Sequence, residues 1–397
     1  LVGNIDSGVD GNHPALASKW RGAHGATATE SWYDALNGST FPFDDNSGTH
    51  GTGTMGCMVA QSGSDTVGVA PDAQWIAAKA FGVNNGGDAA TIIRCMEWMA
   101  DPDLDPATVD DVPDILNLSF GDIKPSTCLD TYWEALDNLK LLGVVLIIAS
   151  GNKADHGIKV TSPANGPNFF AVTSVDSLWE WASESVSGPS LCNPNVIKPD
   201  IVAPGHLIRT TSGTQNGSLL YKNSTGSSFA CPLAAGVAAL VRQSNPELTP
   251  DEIYEVLRGS ATDLGVVGPD TLFGYGAINA ENAVDLAGSP SRPWLAITNI
   301  ELNAGIDELV SPGEDIGVAL TLINNGLSAS SVTATVTSNS SDVTVVIPEE
   351  LNFGAVPTGG AASNSSAPFA LSFSQSIGQQ AIRTFNVVLT MDGQTQT

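Results

Sequence analysis

The chain has 397 residues, of which 42% are hydrophobic and 14% are charged, and this favours two domains or one large domain with an accessory module. Forty-two acidic residues against 15 basic ones give a formal net charge of -27, which argues against nucleic acid and anionic membrane as partners. The acidic residues are spread along the chain. This pattern favours a role in solubility, and the second interpretation is that the residues hold divalent cations loosely.

The chain opens on the apolar run LVGNI, residues 1–5, which predicts a buried strand. No run of about 18 apolar residues occurs, so no membrane span is predicted. No secretory leader stands ahead of that strand, and we therefore expect that export and pro-segments lay upstream and were removed.

Short apolar runs alternate with longer helical patterns as far as about residue 286. The strand candidates are residues 1–5, 75–81, 115–120, 144–149, 170–175 and 201–203. The helix candidates are residues 89–100, 129–142, 228–242 and 250–259. Thr249 caps the last of these helices, and a proline follows it at the first helical position. This alternation predicts an α/β fold with a mainly parallel sheet and helices on both faces, in which ligands bind at the carboxyl ends of the strands.

The segment GSPSRP, residues 288–293, has the composition of a linker, and the helical pattern ends there. Apolar residues then alternate with polar ones at 316–322, before an Asn325-Gly326 turn, and again at 369–373 and 385–389. This period predicts a small all-β sandwich of the immunoglobulin or fibronectin kind, of about a hundred residues. The predicted domains are residues 1–287 and 294–397, and no strand is expected in the final QTQT.

Three segments place a reactive side chain at a strand end or a helix start, beside small residues. They are IDSGVDGNHP, SGTHGTGTMG and GSSFACPLAAG, which carry Asp6, His50 and Ser228. Taken alone, Asp6 is more often a structural turn or cap aspartate, His50 is as often a core or cap histidine, and Ser228 is an ordinary helix N-cap. Pro232 is expected in the first turn of the serine's helix, where proline is tolerated.

Together the three side chains meet the requirements of nucleophilic catalysis. A hydroxyl needs a base to attack at neutral pH, the imidazole needs a carboxylate to hold its tautomer, and the developing oxyanion needs donors. Asn152, in IIASGNK, follows the most apolar strand and is the candidate donor, with a loop asparagine as its structural alternative. The chain order Asp, His, Ser is that of subtilisin.

These segments resemble the three signatures of the subtilase family, and the resemblance covers roughly residues 1–286. WYDA, GVAPDAQWIAAKAF, GPS and IKPDIVAPG are most similar to its bacillopeptidase F branch. The resemblance implies a subtilisin-like fold and a secreted, extracellular serine endopeptidase that cleaves proteins and peptides through an acyl-enzyme. Asp6, His50 and Ser228 would be its catalytic triad, and Asn152 its oxyanion donor.

The resemblance also implies three substrate-binding segments. They are Ser119-Phe120-Gly121, Ala149-Ser150-Gly151 and Asn85-Gly86-Gly87. The first two would flank the substrate and shape its S4 and S1 pockets, and the third would pair from the opposite side. An extended peptide would then bind as an added strand.

The chain departs from the family pattern at Gly53, where the second histidine of HGTH usually stands, and at Ser227, where threonine usually precedes the nucleophile. The family's strong calcium site uses an aspartate just after the HP dipeptide, where this chain has Ala15, and its loop, here 61–67, is short. Those ligands are therefore not carried over. No cofactor is expected for the chemistry, and structural calcium stays open, with ligands that the sequence does not identify.

The five cysteines show no CxxC pair and no His/Cys zinc spacing, which leaves at most two disulfides. Bacillopeptidase-like sequences carry cysteines at similar places, so the resemblance implies a bond between Cys128 and Cys192. Cys231 is expected to be buried and reduced.

Two other functions fit the sequence less well. An α/β-hydrolase esterase needs a GxSxG elbow and the order Ser, acid, His, and this chain has neither. A degenerate subtilase that serves as a binding scaffold is expected to lack a triad member, and all three are present.

Overall fold

A computed structural model describes most of the chain. The described residues are 1–83, 86–122, 127–153, 159–214, 220–266, 268–288, 293–303, 311–324, 326–338, 342–346, 350–375 and 385–396. Asn85, Asn325 and most of the predicted linker lie outside them. The chain divides into two compact units, Leu1–Ala287 and Gly288–Thr397.

The first unit is built on a central parallel sheet. Its described strands are β1 (Val2–Asp6), β2 (Trp32–Asp34), β3 (Gln61–Ser62), β4 (Asp65–Thr66), β5 (Trp75–Lys79), β6 (Ile115–Leu118), β7 (Val145–Ala149), β8 (Phe170–Val175), β9 (Ile201–Pro204), β10 (Ile208–Thr211) and β11 (Tyr221–Ser224). Seven of them form the sheet in the order β2-β5-β1-β6-β7-β8-β9, and all six pairings are parallel. Strands β1, β5, β6, β7 and β8 bury every residue, as expected for parallel strands that are covered on both faces.

Helices cover this sheet on both faces, as predicted. The described α-helices are α1 (His50–Val59), α2 (Ala89–Ala100), α3 (Trp133–Leu141), α4 (Ser227–Ser244), α5 (Pro250–Gly259) and α6 (Ala280–Gly288), and two short 3-10 helices span Ala17–Lys19 and Arg21–Ala23. Ile5 of β1 lies in the core that α2 and α3 cover, whereas the amide of Asn4 donates to the carbonyl of Gly51 in α1, 3.3 Å away. Successive strand residues point to opposite faces, so α1 lies across the sheet from α2.

Two helices differ from the sequence prediction. Helix α3 begins at Trp133, not at residue 129, because the N-H of Leu129 donates to Ser162 Oγ at 3.0 Å and leaves the helical path. Helix α6 was not predicted. Helix α5 begins as expected, and Thr249 and Glu252 cap it reciprocally. No helix within the described part of the chain is both long and apolar enough to cross a membrane.

The second unit is all-β within its described residues. Its strands are β12 (Leu295–Asn303), β13 (Asp315–Asn324), β14 (Ala329–Ser338), β15 (Val343–Val346), β16 (Leu351–Val356), β17 (Ala361–Ser363), β18 (Phe369–Phe373), β19 (Phe385–Met391) and β20 (Gln394–Gln396). They form two antiparallel sheets, and one apolar core draws residues from both, including Leu320 and Leu389. The predicted alternation is confirmed at Ile316, Val318 and Leu322, which are all buried.

The expectation that QTQT forms no strand is wrong. Strand β20 pairs with β19 in antiparallel register. Asp392 and Gly393 have φ values of 48° and 85°, and positive φ at both turn residues is the geometry of a tight hairpin. The Asp-Gly dipeptide was the local signal for this turn.

The cysteines are arranged as the sequence led us to expect. A disulfide joins Cys128 and Cys192, with Cα atoms 4.9 Å apart. The other three, Cys57, Cys95 and Cys231, are free and buried. Burial raises the pKa of the Cys57 and Cys95 thiols to about 12, which keeps them protonated and unreactive.

Candidate active site

Three neighbouring strands bring the candidate polar residues to one edge of the sheet. Asp6 is the last residue of β1, Ser119 directly follows β6, and Asn152 lies three residues beyond β7. These strands are adjacent and parallel, so their carboxyl ends meet at the same edge, where ligands bind in open α/β sheets.

Helix α1 carries His50 at its first position, against the end of β1. The approach depends on Gly51, where an added Cβ would lie 2.2 Å from the Gly8 carbonyl oxygen and 2.9 Å from Asp6 Cβ. Thr49, just before the helix, has a φ of 44°, in the left-handed region that a non-glycine residue seldom adopts. The small residues of HGTGTMG therefore let the imidazole reach the Asp6 carboxylate.

Asp6 is buried and pairs with His50, whose side chain is 26% exposed. His50 Nδ1 lies 2.8 Å from Asp6 Oδ1 and 3.0 Å from Oδ2. A carboxylate only accepts hydrogen bonds, so Nδ1 carries the proton and Nε2 of the neutral ring keeps a free lone pair. Asp6 also accepts from the Ser7 N-H at 2.6 Å and from Thr54 Oγ1 at 3.3 Å, which holds the carboxylate in place.

The electrostatics of the pair favour a basic imidazole. Burial by itself lowers the pKa of His50, but the charge and hydrogen bond of Asp6 outweigh burial and raise that pKa above its ordinary value. The positive charge of Lys222 lowers the His50 pKa, and the carboxylate of Asp44 raises it. His50 can therefore take up a proton more readily than a free imidazole does.

Ser228 is the second residue of α4 and is almost buried. Its Oγ donates to the Ser119 carbonyl at 3.4 Å, and no hydrogen bond joins it to His50 in the described structure. The His50 ring packs edge-on against Phe229, the next residue, with ring centroids 5.6 Å apart. The residue after the serine thus contacts the imidazole, and catalytic hydrogen bonds are often loose without substrate.

Pro232 is the sixth residue of α4 and not in its first turn, so the sequence expectation is wrong. Proline has no N-H, so the carbonyl four residues earlier, that of Ser228, loses its helical partner. Ser119 Oγ donates to that carbonyl at 3.0 Å. The segment that begins at Ser119 is thereby bonded to the start of α4.

Asn152 is held by the residue before the candidate nucleophile. Its Oδ1 accepts from the Ser227 N-H at 2.9 Å, and Ser227 Oγ lies 3.2 Å from the same oxygen. A backbone N-H can bond only to the oxygen of the amide, which fixes how the side chain is oriented. The Asn152 Nδ2 group has no hydrogen-bond partner among the described residues, so it is free to donate to a ligand.

Residues 1–276 match the family model described as the subtilase family. The chain belongs to the subtilase family.

Curated relatives of this subtilase come from Bacillus subtilis (strain 168). Bacillopeptidase F is 35% identical over 302 residues, which is 72% of this chain and 20% of that protein. Serine protease AprX is 33% identical over 305 residues, 71% of this chain and 65% of that protein. The chain thus spans about a fifth of the one and about two thirds of the other.

A solved structure shares the subtilase fold. It is that of a cold-adapted subtilisin-like serine proteinase, which aligns with a TM-score of 0.52 and 25% sequence identity. The alignment covers 70% of this chain and 86% of the other.

Two residues beside the pair in this subtilase were missed by sequence reasoning. Asp44 accepts from Ser7 Oγ at 3.0 Å and from Thr52 Oγ1 at 2.8 Å, which ties the end of β1 to the start of α1. Burial first, and then the nearby Asp6, raise the pKa of Asp44 to about 6. Lys222, on β11, donates to the Thr49 carbonyl at 3.1 Å. The only feature of the sequence that pointed to Asp44 was a pair of acidic residues shortly before His50.

Two of the three expected substrate segments of the subtilase contact the same residue, Thr161. An added Cβ at Gly121 would lie 2.3 Å from Thr161 Oγ1, and the N-H of Thr161 donates to the Ser150 carbonyl at 3.0 Å. On the third segment, an added Cβ at Gly87 would lie 2.6 Å from the Phe81 ring, whose centroid is 5.3 Å from that of Phe120. Asn85 lies outside the described residues.

The region of the family's strong calcium site does not suit a cation in this subtilase. Ala15 is fully buried, and its carbonyl accepts from the Gln61 N-H at 3.1 Å. The short β3-β4 hairpin supplies one carboxylate, Asp65, which pairs with Arg209 at 2.7 Å and 2.9 Å. The residues at this place offer no free carboxylate.

Proposed function

We propose that this chain is a secreted, extracellular serine endopeptidase with Asp6, His50 and Ser228 as its catalytic triad. The observation that supports this most directly is the 2.8 Å hydrogen bond from His50 Nδ1 to Asp6, which leaves Nε2 unprotonated and able to act as a base. Subtilase family membership and the printed name of AprX, a serine protease, support the same reaction class.

In the proposed reaction, His50 Nε2 takes the proton of Ser228 Oγ as that oxygen attacks the carbonyl carbon of a peptide bond. The carbonyl oxygen becomes an oxyanion that accepts from Asn152 Nδ2 and from the N-H of Ser228 at the start of α4. His50 then gives its proton to the leaving amine, and the acyl group stays on Ser228. Water, deprotonated by His50, releases the acid and restores the serine.

Proteins and peptides are the proposed substrates, bound as an extended strand. One side would be lined by Ser119-Phe120-Gly121 and Ala149-Ser150-Gly151, and the other by Asn85-Gly86-Gly87. The chemistry uses no cofactor, and a pro-segment would have been removed before the chain became active. Neither nucleic acid nor membrane is a proposed partner.

The test of this function is hydrolysis of casein by the purified chain, with and without a serine-directed fluorophosphonate. We expect cleavage that the reagent abolishes, with the label on Ser228. A binding scaffold without activity would give neither cleavage nor labelling, and inhibition with the label on another serine would also contradict the assignment.

Activity should fall at acid pH with a midpoint above the ordinary imidazole pKa of about 6.5. The base must be neutral, and the pKa of His50 is raised, so protonation disables it at a higher pH than in a free imidazole. The measurement is kcat/KM for a short chromogenic peptide between pH 4 and 9. A profile that stays flat down to pH 4 would contradict the role of His50.

Lys222→Met sharpens this test, because the positive charge at Lys222 lowers the His50 pKa. The acid midpoint of the variant should lie at higher pH than that of the parent. Lys19→Met, which removes an equal charge paired with Asp72 at 3.8 Å, is the matched control and should leave the midpoint in place.

A chain that ends at residue 290 should keep its turnover of a short peptide. Every proposed catalytic residue precedes Gly288, and Leu1–Ala287 is a compact unit of its own. The measurement is kcat/KM of the truncated protein, with circular dichroism to show that it folds. A folded but inactive product would mean that the second unit takes part in catalysis.

A further inference from the structure

Three aspartates meet in the loop that joins α2 to β6. Asp101, Asp103 and Asp111 each offer a carboxylate oxygen, and these oxygens all lie within 4.8 Å of one another. The loop reads DPDLDPATVDD. None of the proposed catalytic or substrate-binding residues belongs to this cluster.

Asp111 is the decisive member, because it is only 1% exposed and is not fully satisfied. One of its oxygens, Oδ2, accepts from the Asp103 N-H at 2.9 Å. The other, Oδ1, is buried and has no hydrogen-bond partner among the residues that the structure describes. Burying a carboxylate with an unmet oxygen is unfavourable unless a cation or a donor meets it.

A second oxygen in the cluster is in the same condition. Asp101 Oδ1 is also buried and finds no hydrogen-bond partner within the described part of the chain. Asp103, in contrast, accepts from the Asp105 N-H at 2.8 Å and from Thr108 Oγ1 at 2.7 Å. The loop is thus held by its own hydrogen bonds, while two buried oxygens stay free.

No cationic side chain in the described ranges hydrogen-bonds to these two oxygens. Arg21 attracts the carboxylates of Asp103 and Asp111 through space, but its guanidinium donates to the Asp110 carbonyl. It lies 3.6 Å from the Asp110 carboxylate. Arg21 Nε has no hydrogen-bond partner among the described residues, but a single positive charge still leaves the three clustered carboxylates with excess negative charge.

We propose that this loop binds a calcium ion through Asp101, Asp103 and Asp111. Calcium takes six to eight oxygen ligands in irregular geometry, so three carboxylates can be completed by carbonyls or water. Magnesium demands a near-ideal octahedron and suits such a loop less well. The negative end of the α2 dipole, at Ala100, adds to the attraction.

The ion would brace the connection that leads into β6 and so to Ser119. The proposal is independent of the proteolytic function, because the ion meets none of the reacting groups. It can therefore be tested in the full chain that carries Ser228→Ala, which also prevents autolysis during the measurement.

The experiment compares Asp111→Asn with Asp110→Asn, each in that background, by calorimetric titration with CaCl2 after dialysis against chelator. Asp110 is the matched control, since it lies next in sequence and its side chain is 85% exposed. We expect Asp110→Asn to bind calcium like the parent, and Asp111→Asn to bind one ion fewer or at least about tenfold more weakly. Asp101→Asn should reproduce the loss. This variant replaces Asp111→Asn in the test if circular dichroism shows that Asp111→Asn does not fold.

Thermal unfolding gives a second readout. Calcium at about 100 times its Kd should raise the Tm of the parent and of Asp110→Asn by about 5 °C, and should raise that of Asp111→Asn less. Equal stoichiometry, affinity and Tm shift in the two variants would overturn the proposal. The proposal would also be overturned if the parent bound no calcium, or if magnesium stabilised all variants equally.

Discussion

Replacing Ser228 by alanine should abolish proteolysis while the protein stays folded. The substitution removes the attacking oxygen. Within the described structure the Ser228 side chain makes only one hydrogen bond, of 3.4 Å, to the Ser119 carbonyl. Alanine is well tolerated in a helix, so the loss should be chemical and not structural. We expect kcat to fall by about 10⁶, a size that was measured in subtilisin itself and is carried over from there.

The measurement is the rate of casein and chromogenic peptide hydrolysis, with circular dichroism as the check on folding. Ser224→Ala makes the same chemical change four residues earlier, on β11, and should keep its activity. Casein cleavage at the parent rate by the purified Ser228→Ala protein would show that another residue is the nucleophile.

Replacing Asn152 by leucine should lower kcat by about 10² to 10³ and leave KM nearly unchanged; this range also comes from subtilisin. The oxyanion forms away from the position of the ground-state carbonyl oxygen, so a donor aimed there acts only as charge develops. Leucine removes the Nδ2 donor and keeps a similar volume. The Ser228 N-H would still donate, so some activity should survive.

The separate effects on kcat and on KM distinguish this role from simple substrate binding. A rise in KM with kcat unchanged would mean that Asn152 holds the substrate in both states. Asn165→Leu is a suitable control, because its buried amide accepts from Ser162 Oγ at 2.8 Å and has no proposed contact with substrate. That variant should lose stability rather than show the selective loss of kcat.

Much of the fold was predictable from local pattern. Continuous apolar runs such as residues 144–149 predict strands that are buried on both faces, and the structure buries all of β7. Strand β2 was missed because only three residues pair and one of them is an aspartate. The pairing partner of such a short strand is set by tertiary contacts, which the sequence pattern does not contain.

The reactive groups of the candidate site could be predicted because each of them stands next to small residues in a recognisable segment. Asp44 and Lys222 escaped prediction for a physical reason. Their effect on His50 is Coulombic and acts through space, and Lys222 lies 172 positions from His50 in a hairpin that has no catalytic pattern. The orientation of Asn152 likewise depends on Ser227, 75 residues further along the chain.

The proline in α4 has an evolutionary consequence. Pro232 frees the Ser228 carbonyl, and Ser119 supplies the hydrogen bond that takes its place, 109 residues away in sequence. A residue with an N-H at 232 would compete for the same carbonyl, and loss of the hydroxyl at 119 would leave that buried carbonyl unsatisfied. The two positions are therefore constrained as a pair. Once one of them has been substituted, the effect on stability of substituting the other is different.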